Sequence, residues 1–451
     1  MSTPRIKLWR ILATVAVIAA VVALAAVWFV RGPSPTAFAG STTVALADYH
    51  GANPTGVPAS LAQADPVARG EYLARAADCT ACHTAPSGKE LAGGLGFKLP
   101  FGTLYSTNIT PDKDTGIGNY TDAEFIAAVR QGVRRDGARL YPAMPYASYS
   151  YLTDDDVLAI KAYLFRVPAV RVAVPANTLA FPFNQRWAML GWSVVFNRDT
   201  RFAPNTAQSP EWNRGAYLVE ALAHCGECHT PRNIGFALDN RNKFAGAVAA
   251  GWRAFDITSD KATGIGNWSD ADLAAYLSAG HATGHGTASG PMGEAVDHSL
   301  RYLASEDIGA IVTYLRSVPA IASPDLPATS APAAPASHRD GVMADARGKM
   351  VFEGACVSCH GWSGESAVSP LATLTGAAAV NDPSAINVAQ IVISGTKRLT
   401  PDGALSMPGF GEAYSDTEIA ALANYVTGRF GRSPSRITPR EVAELRKQAS
   451  N

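Results

Sequence analysis

Apolar residues are distributed in two different ways along this chain of 451 residues. Residues 11–30 form one unbroken apolar run, ILATVAVIAAVVALAAVWFV, which as a helix is long enough to cross a bilayer core of about 30 Å. Later segments place apolar residues three and then four positions apart, which is the spacing of one helical face. The pattern therefore predicts one membrane-spanning helix followed by amphipathic helices around buried cores.

The amphipathic pattern recurs in three equivalent segments, which we call the closing helices. Their apolar positions are Val157, Ile160 and Leu164, then Ile308, Ile311 and Leu315, then Ile419, Leu422 and Val426. A tyrosine occupies the same place in each, at Tyr163, Tyr314 and Tyr425. Such agreement in both spacing and residue type indicates an internal repeat.

A longer match supports the repeat. The segment from Thr110, TPDKDTGIGNYTDAEF, recurs from Thr258 as TSDKATGIGNWSDADL, a shift of 148 positions. A short predicted helix with a glycine opens each repeat, at Gly70, Gly215 and Gly348. Because glycine lets two backbones approach closely, we expect each closing helix to cross the first helix of its repeat there, with its tyrosine nearby.

These patterns predict an all-α chain with three tandem domains behind an N-terminal transmembrane helix. We call residues 63–170 unit 1, residues 211–321 unit 2 and residues 345–433 unit 3. The remaining segments are residues 1–32 as anchor or signal sequence, 33–62 as a stalk, 171–210 as an aromatic connector, 322–344 as a Pro/Ala linker and 434–451 as a C-terminal helix.

The apolar run has two interpretations. Arg5, Lys7 and Arg10 precede it, so the positive-inside rule leaves the N-terminus in the cytoplasm and exports the rest of the chain. In the competing interpretation it is a signal peptide, cleaved after Ala37-Phe-Ala39. Both interpretations place units 1–3 on the periplasmic side of a bacterial inner membrane.

Charge excludes one class of partner. Lys+Arg and Asp+Glu number 38 each, so nothing in the composition indicates a nucleic-acid-binding protein. A hydrophobic fraction of 47% is enough to build packed cores.

The cysteines carry the chemistry. All six lie in three CxxCH motifs, at Cys79–His83, Cys225–His229 and Cys356–His360. This is the attachment pattern of c-type haem: two thiols one helical turn apart bond to one porphyrin, and the adjacent imidazole binds its iron. We therefore predict three covalently bound haem c groups, held by Cys79 and Cys82, by Cys225 and Cys228, and by Cys356 and Cys359, with His83, His229 and His360 on iron.

Two other interpretations of CxxC are a redox-active dithiol and half of a zinc site. Neither requires a histidine directly after every second cysteine. Structural disulfides are disfavoured because the motifs use every thiol.

Each unit offers a methionine in the predicted loop before its closing helix. Met144, Met292 and Met407 each lie beside a proline and follow their motif histidines by 61, 63 and 47 residues. We predict that they are the second axial ligands, although core packing is the common role of methionine. His/Met ligation fills both axial positions, which suits electron transfer. His281, His285 and His298 lie near Met292 as competing ligands, and we interpret them and His224 as ordinary polar residues.

The connector is unusually aromatic. Residues 181–196 read FPFNQRWAMLGWSVVF and include Trp187 and Trp192. They either pack between units 1 and 2 or form a docking surface for a partner, lipid or quinone.

In combination, the CxxCH motifs, the TGIGN segments, the PAMPY and SGPM loops and the MPGFG segment resemble the three-haem cytochrome c subunits of bacterial membrane-bound dehydrogenases. The resemblance covers roughly residues 63–433. It implies class I cytochrome c domains, a dehydrogenase catalytic subunit of quinoprotein, flavoprotein or molybdenum type as electron donor, and ubiquinone or a terminal oxidase as acceptor. The chain would then be no enzyme on its own. The phenylalanine–aspartate pair at Phe255 and Asp256 replaces Thr107 and Asn108 of unit 1, so haem contacts in unit 2 are expected to differ.

Two other functions compete with this one. A multihaem peroxidase would need a haem without its distal ligand, and a methionine in every unit argues against it. A free-standing electron shuttle is disfavoured by the apolar N-terminal run.

Overall fold

A computed structural model of the protein describes residues 4–323, 346–400 and 403–449. The fold is largely helical, as predicted. In the described part of the chain, four short antiparallel hairpins, which the all-α prediction omitted, lie between the helices. The predicted Pro/Ala linker 322–344 falls outside the described residues except at its first two positions.

Among the described residues, unit 1 and the segments that flank it contain seven α-helices. These are α1 (Pro4–Arg31), α2 (Pro66–Ala76), α3 (Cys79–His83), α4 (Asp122–Gln131), α5 (Tyr146–Tyr149), α6 (Asp154–Leu164) and α7 (Ala188–Phe196) in the connector. One hairpin, β1 (Gly96–Leu99) with β2 (Gly102–Tyr105), follows the cysteine motif. Helix α4 begins at the predicted capping box of Thr121 and Glu124.

Unit 2 repeats this order, with a π-helical turn and a second hairpin added. It contains α8 (Pro210–Tyr217), a π-helical turn (Leu218–Leu222), α9 (Gly226–His229), β3 (Ala247–Ala249), β4 (Trp252–Ala254), α10 (Asp270–Ala279), β5 (His281–Ala282), β6 (Gly286–Thr287), α11 (Gly290–His298) and α12 (Ser305–Ser317). Gly70 precedes Cys79 by nine residues, whereas Gly215 precedes Cys225 by ten. The wider π turn absorbs the extra residue, so the glycine and the cysteine motif keep equivalent places.

Unit 3 is shorter. It contains α13 (Ala346–Ala355), α14 (Val357–His360), α15 (Ala378–Asn381), α16 (Ile386–Ser394), β7 (Thr396–Thr400), β8 (Gly403–Met407) and α17 (Asp416–Phe430), which begins at the predicted capping box. The C-terminal helix α18 (Pro439–Ala449) buries Val442 against this unit.

The predicted helix crossing occurs in every unit. A Cβ atom added at Gly70 would collide with the carbonyl oxygen of Ala159 in the closing helix. The same collision would occur at Gly215 with Ala310 and at Gly348 with Ala421. In each case the Cβ of the repeat tyrosine is the next neighbour, at 3.0, 2.8 and 2.9 Å from the added atom. Only glycine allows this approach, which confirms the reason given for the three glycines.

The hydrophobic cores do not correspond one to one with the three units. Buried side chains of units 1 and 2 form one continuous hydrophobic cluster, whereas those of unit 3 form a second. Three independent domains were expected, and the first two units are instead joined through their interiors.

Residues 33–62, predicted to be a stalk, instead pack against the folded units. Phe38 packs against Trp212 and Tyr314 of unit 2, with ring centroids 6.5 and 5.9 Å apart. Arg214 donates hydrogen bonds of 2.9 Å to the carbonyls of Pro54 and Gly56. The segment therefore lies along the folded units, because its phenylalanine and backbone carbonyls find buried partners there.

Candidate haem sites

The three CxxCH motifs adopt one local structure. The histidine and the second cysteine of each motif lie on a short helix, α3, α9 or α14, that follows the first helix of the unit, and the first cysteine begins that helix or directly precedes it. All six cysteines are free thiols in the structure. Among the described residues, no group of three or more His, Cys, Asp or Glu side chains is arranged to hold a metal ion.

The motif histidines are oriented identically. His83 Nδ1 lies 2.7 Å from the carbonyl oxygen of Thr107. His229 Nδ1 lies 2.6 Å from the carbonyl oxygen of Phe255, and His360 Nδ1 lies 2.6 Å from that of Ala372. A carbonyl only accepts, so Nδ1 carries the proton and Nε2 keeps its lone pair for a metal. The residues present therefore fit a haem iron in each unit.

The protonation states agree with this arrangement. Burial lowers the pKa of His83, His229 and His360, which favours the neutral imidazole that binds metals. Burial raises the pKa of Cys79 and Cys225 to about 12. Redox-active dithiols instead have a lowered thiol pKa, so the dithiol interpretation is disfavoured.

The axial ligands predicted for unit 2 share one cavity of about 1740 Å³. Its walls include Cys225, Cys228, His229 and Met292. Cys82 of unit 1 and Met407 of unit 3 line the same cavity, whereas Met144 lines a separate small cavity beside the end of α1. The structure thus brings the full set of unit 2 together around one cavity, and it places Cys82 and Met407, which belong to the other two sets, on the lining of that cavity.

The three methionines differ in local structure. Met144 lies in a loop before α5, as predicted, but Met292 lies in the first turn of α11 and Met407 is the last residue of β8. All three are partly buried against the hydrophobic cores. The prediction of a loop was wrong for Met292, because a proline at the start of a helix looks the same in sequence as a proline in a loop. It was also wrong for Met407, which pairs with Thr396 in a hairpin.

Comparison with known proteins agrees with this geometry. The family model Cytochrome c matches residues 67–167 and 346–429. The fructose dehydrogenase cytochrome subunit of Gluconobacter japonicus is 40% identical over 416 residues, which covers 88% of this chain and 85% of that protein. The gluconate 2-dehydrogenase cytochrome c subunit of Pantoea cypripedii is 39% identical over 399 residues, 84% of this chain and 89% of that protein.

The chain belongs to the cytochrome c subunits of membrane-bound dehydrogenases. Membership implies covalently bound haem c and a role in electron transfer rather than in substrate chemistry. A diheme cytochrome c-type protein of Cereibacter sphaeroides is also similar, at 40% identity over 261 residues, 56% of this chain and 86% of that protein.

Three of the four other histidines considered as ligands, His224, His281 and His285, have local partners. His285 stacks on Trp268 with ring centroids 3.7 Å apart, and His281 Nδ1 lies 2.9 Å from Thr287 Oγ1. His224 packs edge-on against Tyr149 at 5.4 Å. His298 lines the large cavity.

Sequence reasoning missed one residue at the site of unit 2. Arg398 of β7 is 3% exposed and reaches from unit 3 into unit 2. Its Nη1 donates a hydrogen bond of 2.7 Å to the carbonyl of Gly293, directly after Met292. Its Nη2 lies 3.3 Å from Asp297 Oδ1 at the end of the same helix. No sequence motif indicates that an arginine of one unit will form hydrogen bonds with another unit.

The two tryptophans of the connector differ in environment. Trp192 packs edge-on against Tyr146 of unit 1 at 5.6 Å and donates a hydrogen bond of 2.8 Å to the carbonyl of Gly235 in unit 2. It is therefore an interunit core residue. Trp187 is 74% exposed, and its Nε1 lies 3.3 Å from Gln185 Oε1 within the connector.

Proposed function

We propose that this chain is a membrane-bound three-haem cytochrome c that carries electrons from the catalytic subunit of a dehydrogenase to ubiquinone or another acceptor of the respiratory chain. One observation carries the proposal: in all three units the motif histidine is held by a backbone carbonyl so that Nε2 is free to bind iron.

The residues that would hold each haem follow from the three motifs. Cys79 and Cys82, Cys225 and Cys228, and Cys356 and Cys359 would form the thioether bonds. His83, His229 and His360 would be the proximal ligands, and Met144, Met292 and Met407 the distal ligands. Haem c supplies reversible one-electron transfer, and a thioether ligand raises its potential. The chain's own part is to fix these ligands and to exclude water from them.

Helix α1 supports attachment to a membrane. It contains a stretch, Trp9–Arg31, that is long and apolar enough to cross a bilayer, and this stretch is not covered by the rest of the chain. Phe38, which lies within the candidate cleavage site, packs into unit 2, so the residues after α1 belong to the fold. We therefore favour a retained anchor in the inner membrane, with the three units on the periplasmic side.

The partner is proposed from the relatives. The similar proteins are named as cytochrome subunits of fructose, gluconate and quinone-dependent alcohol dehydrogenases. One of the subunits of nicotinate dehydrogenase from Pseudomonas putida is also similar, at 40% identity, and this chain covers 30% of it. A catalytic subunit of quinoprotein, flavoprotein or molybdenum type would supply the electrons.

The test is a haem count on the mature protein. We expect a mass equal to the polypeptide plus three haems, and haem stain that survives a denaturing gel. Met144→Ala, Met292→Ala and Met407→Ala should each remove about one third of the far-red band of methionine bound to ferric haem. Met350→Ala, at an exposed position of α13, is the control and should leave the band intact.

Three outcomes would contradict the proposal. Two haems or fewer in fully matured protein would exclude the three-haem assignment. Rapid peroxide turnover by the isolated chain would favour the peroxidase alternative. Purification from native membranes without any dehydrogenase subunit would favour a free-standing shuttle.

A further inference from the structure

Helix α7 exposes an apolar face. Trp187, Leu190 and Val194 lie three and four positions apart and are 74%, 51% and 71% exposed. The opposite face is covered, because Ser193 is buried and Trp192 packs between units 1 and 2. A helix that already covers its inner face on two units has no folding reason for a second apolar face.

Neighbouring loops extend this face. Phe181 is 78% exposed, Ile234 88% and Phe236 55%. Phe101 of unit 1 stacks on Phe183 of the connector at 4.0 Å and meets Phe236 of unit 2 edge-on at 5.8 Å. We call Phe181, Trp187, Leu190, Val194, Ile234 and Phe236 the apolar patch. Exposed apolar side chains are ordinary when scattered, but a contiguous group of them marks an interaction site.

The apolar patch lies at the end of α1. Asn233 Nδ2 donates a hydrogen bond of 3.1 Å to the carbonyl of Val30, and Arg241 Nη1 donates one of 2.7 Å to that of Phe29. Helix α1 also contacts α7 directly. The loop that carries Ile234 and Phe236 therefore meets the last turn of the helix that we propose to cross the membrane. Wherever α1 leaves the bilayer, the patch is at that surface.

The chemistry of the surroundings fits lipid. Trp28 and Phe29, at the end of α1, are 78% and 65% exposed, as expected of residues at a bilayer interface. Arg198 donates a hydrogen bond of 2.9 Å to the carbonyl of Gly32, and Arg186 donates one of 2.8 Å to that of Arg139. Arg186 and Arg198 flank α7 in the chain, next to the residues of the patch on that helix. Aromatic residues flanked by arginines match the boundary between acyl chains and anionic headgroups.

We propose that the apolar patch inserts into the interface of the phospholipid bilayer, so that the fused units 1 and 2 rest on the membrane in a fixed orientation instead of turning about α1. This rests on the proposed membrane attachment. It adds a second, peripheral contact to the anchor.

Spin labels test the proposal in the full-length, haem-loaded protein. The protein is reconstituted in vesicles of equal parts phosphatidylethanolamine and phosphatidylglycerol, and one label is placed at a time by Leu190→Cys or Val194→Cys. The native thiols would not react because they are committed to haem. The control is Val368→Cys, a 63% exposed position in unit 3. The accessibility of each label is measured to oxygen, which enters lipid, and to a nickel chelate, which stays in water. The first accessibility divided by the second is the oxygen-to-nickel ratio.

We expect the oxygen-to-nickel ratio to be several-fold higher at Leu190 and Val194 than at Val368. Equal ratios at the three positions would overturn the proposal. Protection of the patch labels from both reagents only when a catalytic subunit is bound would also overturn it, because the patch would then be a protein interface. Val21→Cys tests α1 separately. If that label is lost by processing or lies in water, the anchor fails, while high ratios at Leu190 and Val194 would still support the patch.

Discussion

The hydroxyl of Tyr72 in unit 1 donates a hydrogen bond of 2.6 Å to Asp307 Oδ2 in unit 2. Tyr217, the equivalent of Tyr72 in unit 2, donates one of 2.5 Å to Asp156 Oδ2 in unit 1. Both carboxylates are buried, at 1% and 2% exposure. The duplicated units thus exchange the same contact in both directions, as the subunits of a twofold dimer do. The reciprocal pair thus joins the same two units whose buried side chains form one hydrophobic cluster.

We expect Tyr72→Phe to destabilise the joined units by about 1–3 kcal/mol, because it removes a hydrogen bond from a buried carboxylate. Asp307 would retain Arg214, whose Nη2 lies 2.6 Å from Oδ2, so folding should survive. Denaturant unfolding measures the change. Tyr302→Phe is the control: this tyrosine is 45% exposed and its ring packs under Arg75, which phenylalanine also allows. A control loss equal to that of Tyr72→Phe would contradict the prediction.

The close helix crossing can be tested within one helix. Gly348→Ala places a Cβ against the carbonyl oxygen of Ala421 and should destabilise unit 3 by about 3 kcal/mol or more, since two backbones must separate. Gly354→Ala, in the same helix, meets nothing within 4 Å and should be neutral or stabilising by up to about 1 kcal/mol. Thermal unfolding and haem retention are the measurements. Similar effects of the two changes would show that the crossing is looser than the structure has it.

Arg398 should influence the haem of a unit other than its own. Arg398→Gln removes the guanidinium fork that holds the carbonyl of Gly293, so the start of α11 and Met292 should lose their fixed position. We expect the far-red methionine band to fall by up to about one third and the potential of one haem to drop. The exposed Arg440→Gln is the control. An unchanged spectrum and potential in Arg398→Gln would show that the helix holds Met292 without help from unit 3.

The free energy of unfolding should depend on pH through the titration of Asp256. Burial raises its pKa above that in the unfolded chain, although hydrogen bonds from Thr263 and Thr258 oppose the shift. The folded state then holds the proton more tightly. The stability from this group is complete below the unfolded pKa and declines as pH rises through the folded pKa.

The matched variant is Asp256→Asn, because unit 1 has Asn108 in this place, with its Nδ2 3.0 Å from Thr115 Oγ1. We expect the variant to be more stable than the wild type near about pH 7 and the difference to shrink near about pH 4. Melting temperatures at the two pH values measure this. A difference that does not change with pH would mean that Asp256 titrates normally.

Much of this molecule was determined by local sequence. The CxxCH motifs, the capping boxes at Thr121 and Ser415, the closing helices and the three crossing glycines were all predicted, because each depends on residues within a few turns of helix or on a repeated spacing. The family resemblance was confirmed for the same reason: it rests on short motifs.

The tertiary structure decided what depends on contacts between distant segments. Nothing near Tyr72 in sequence indicates Asp307, 235 positions away, and nothing near Arg398 indicates Gly293. Contacts between distant segments also decided three other features. These are the packing of residues 33–62 on the units, the single core of units 1 and 2, and the partial burial of Trp192 but not of Trp187. A side chain's type and spacing fix the face of its own helix, but which other surface covers that face depends on how the whole chain packs.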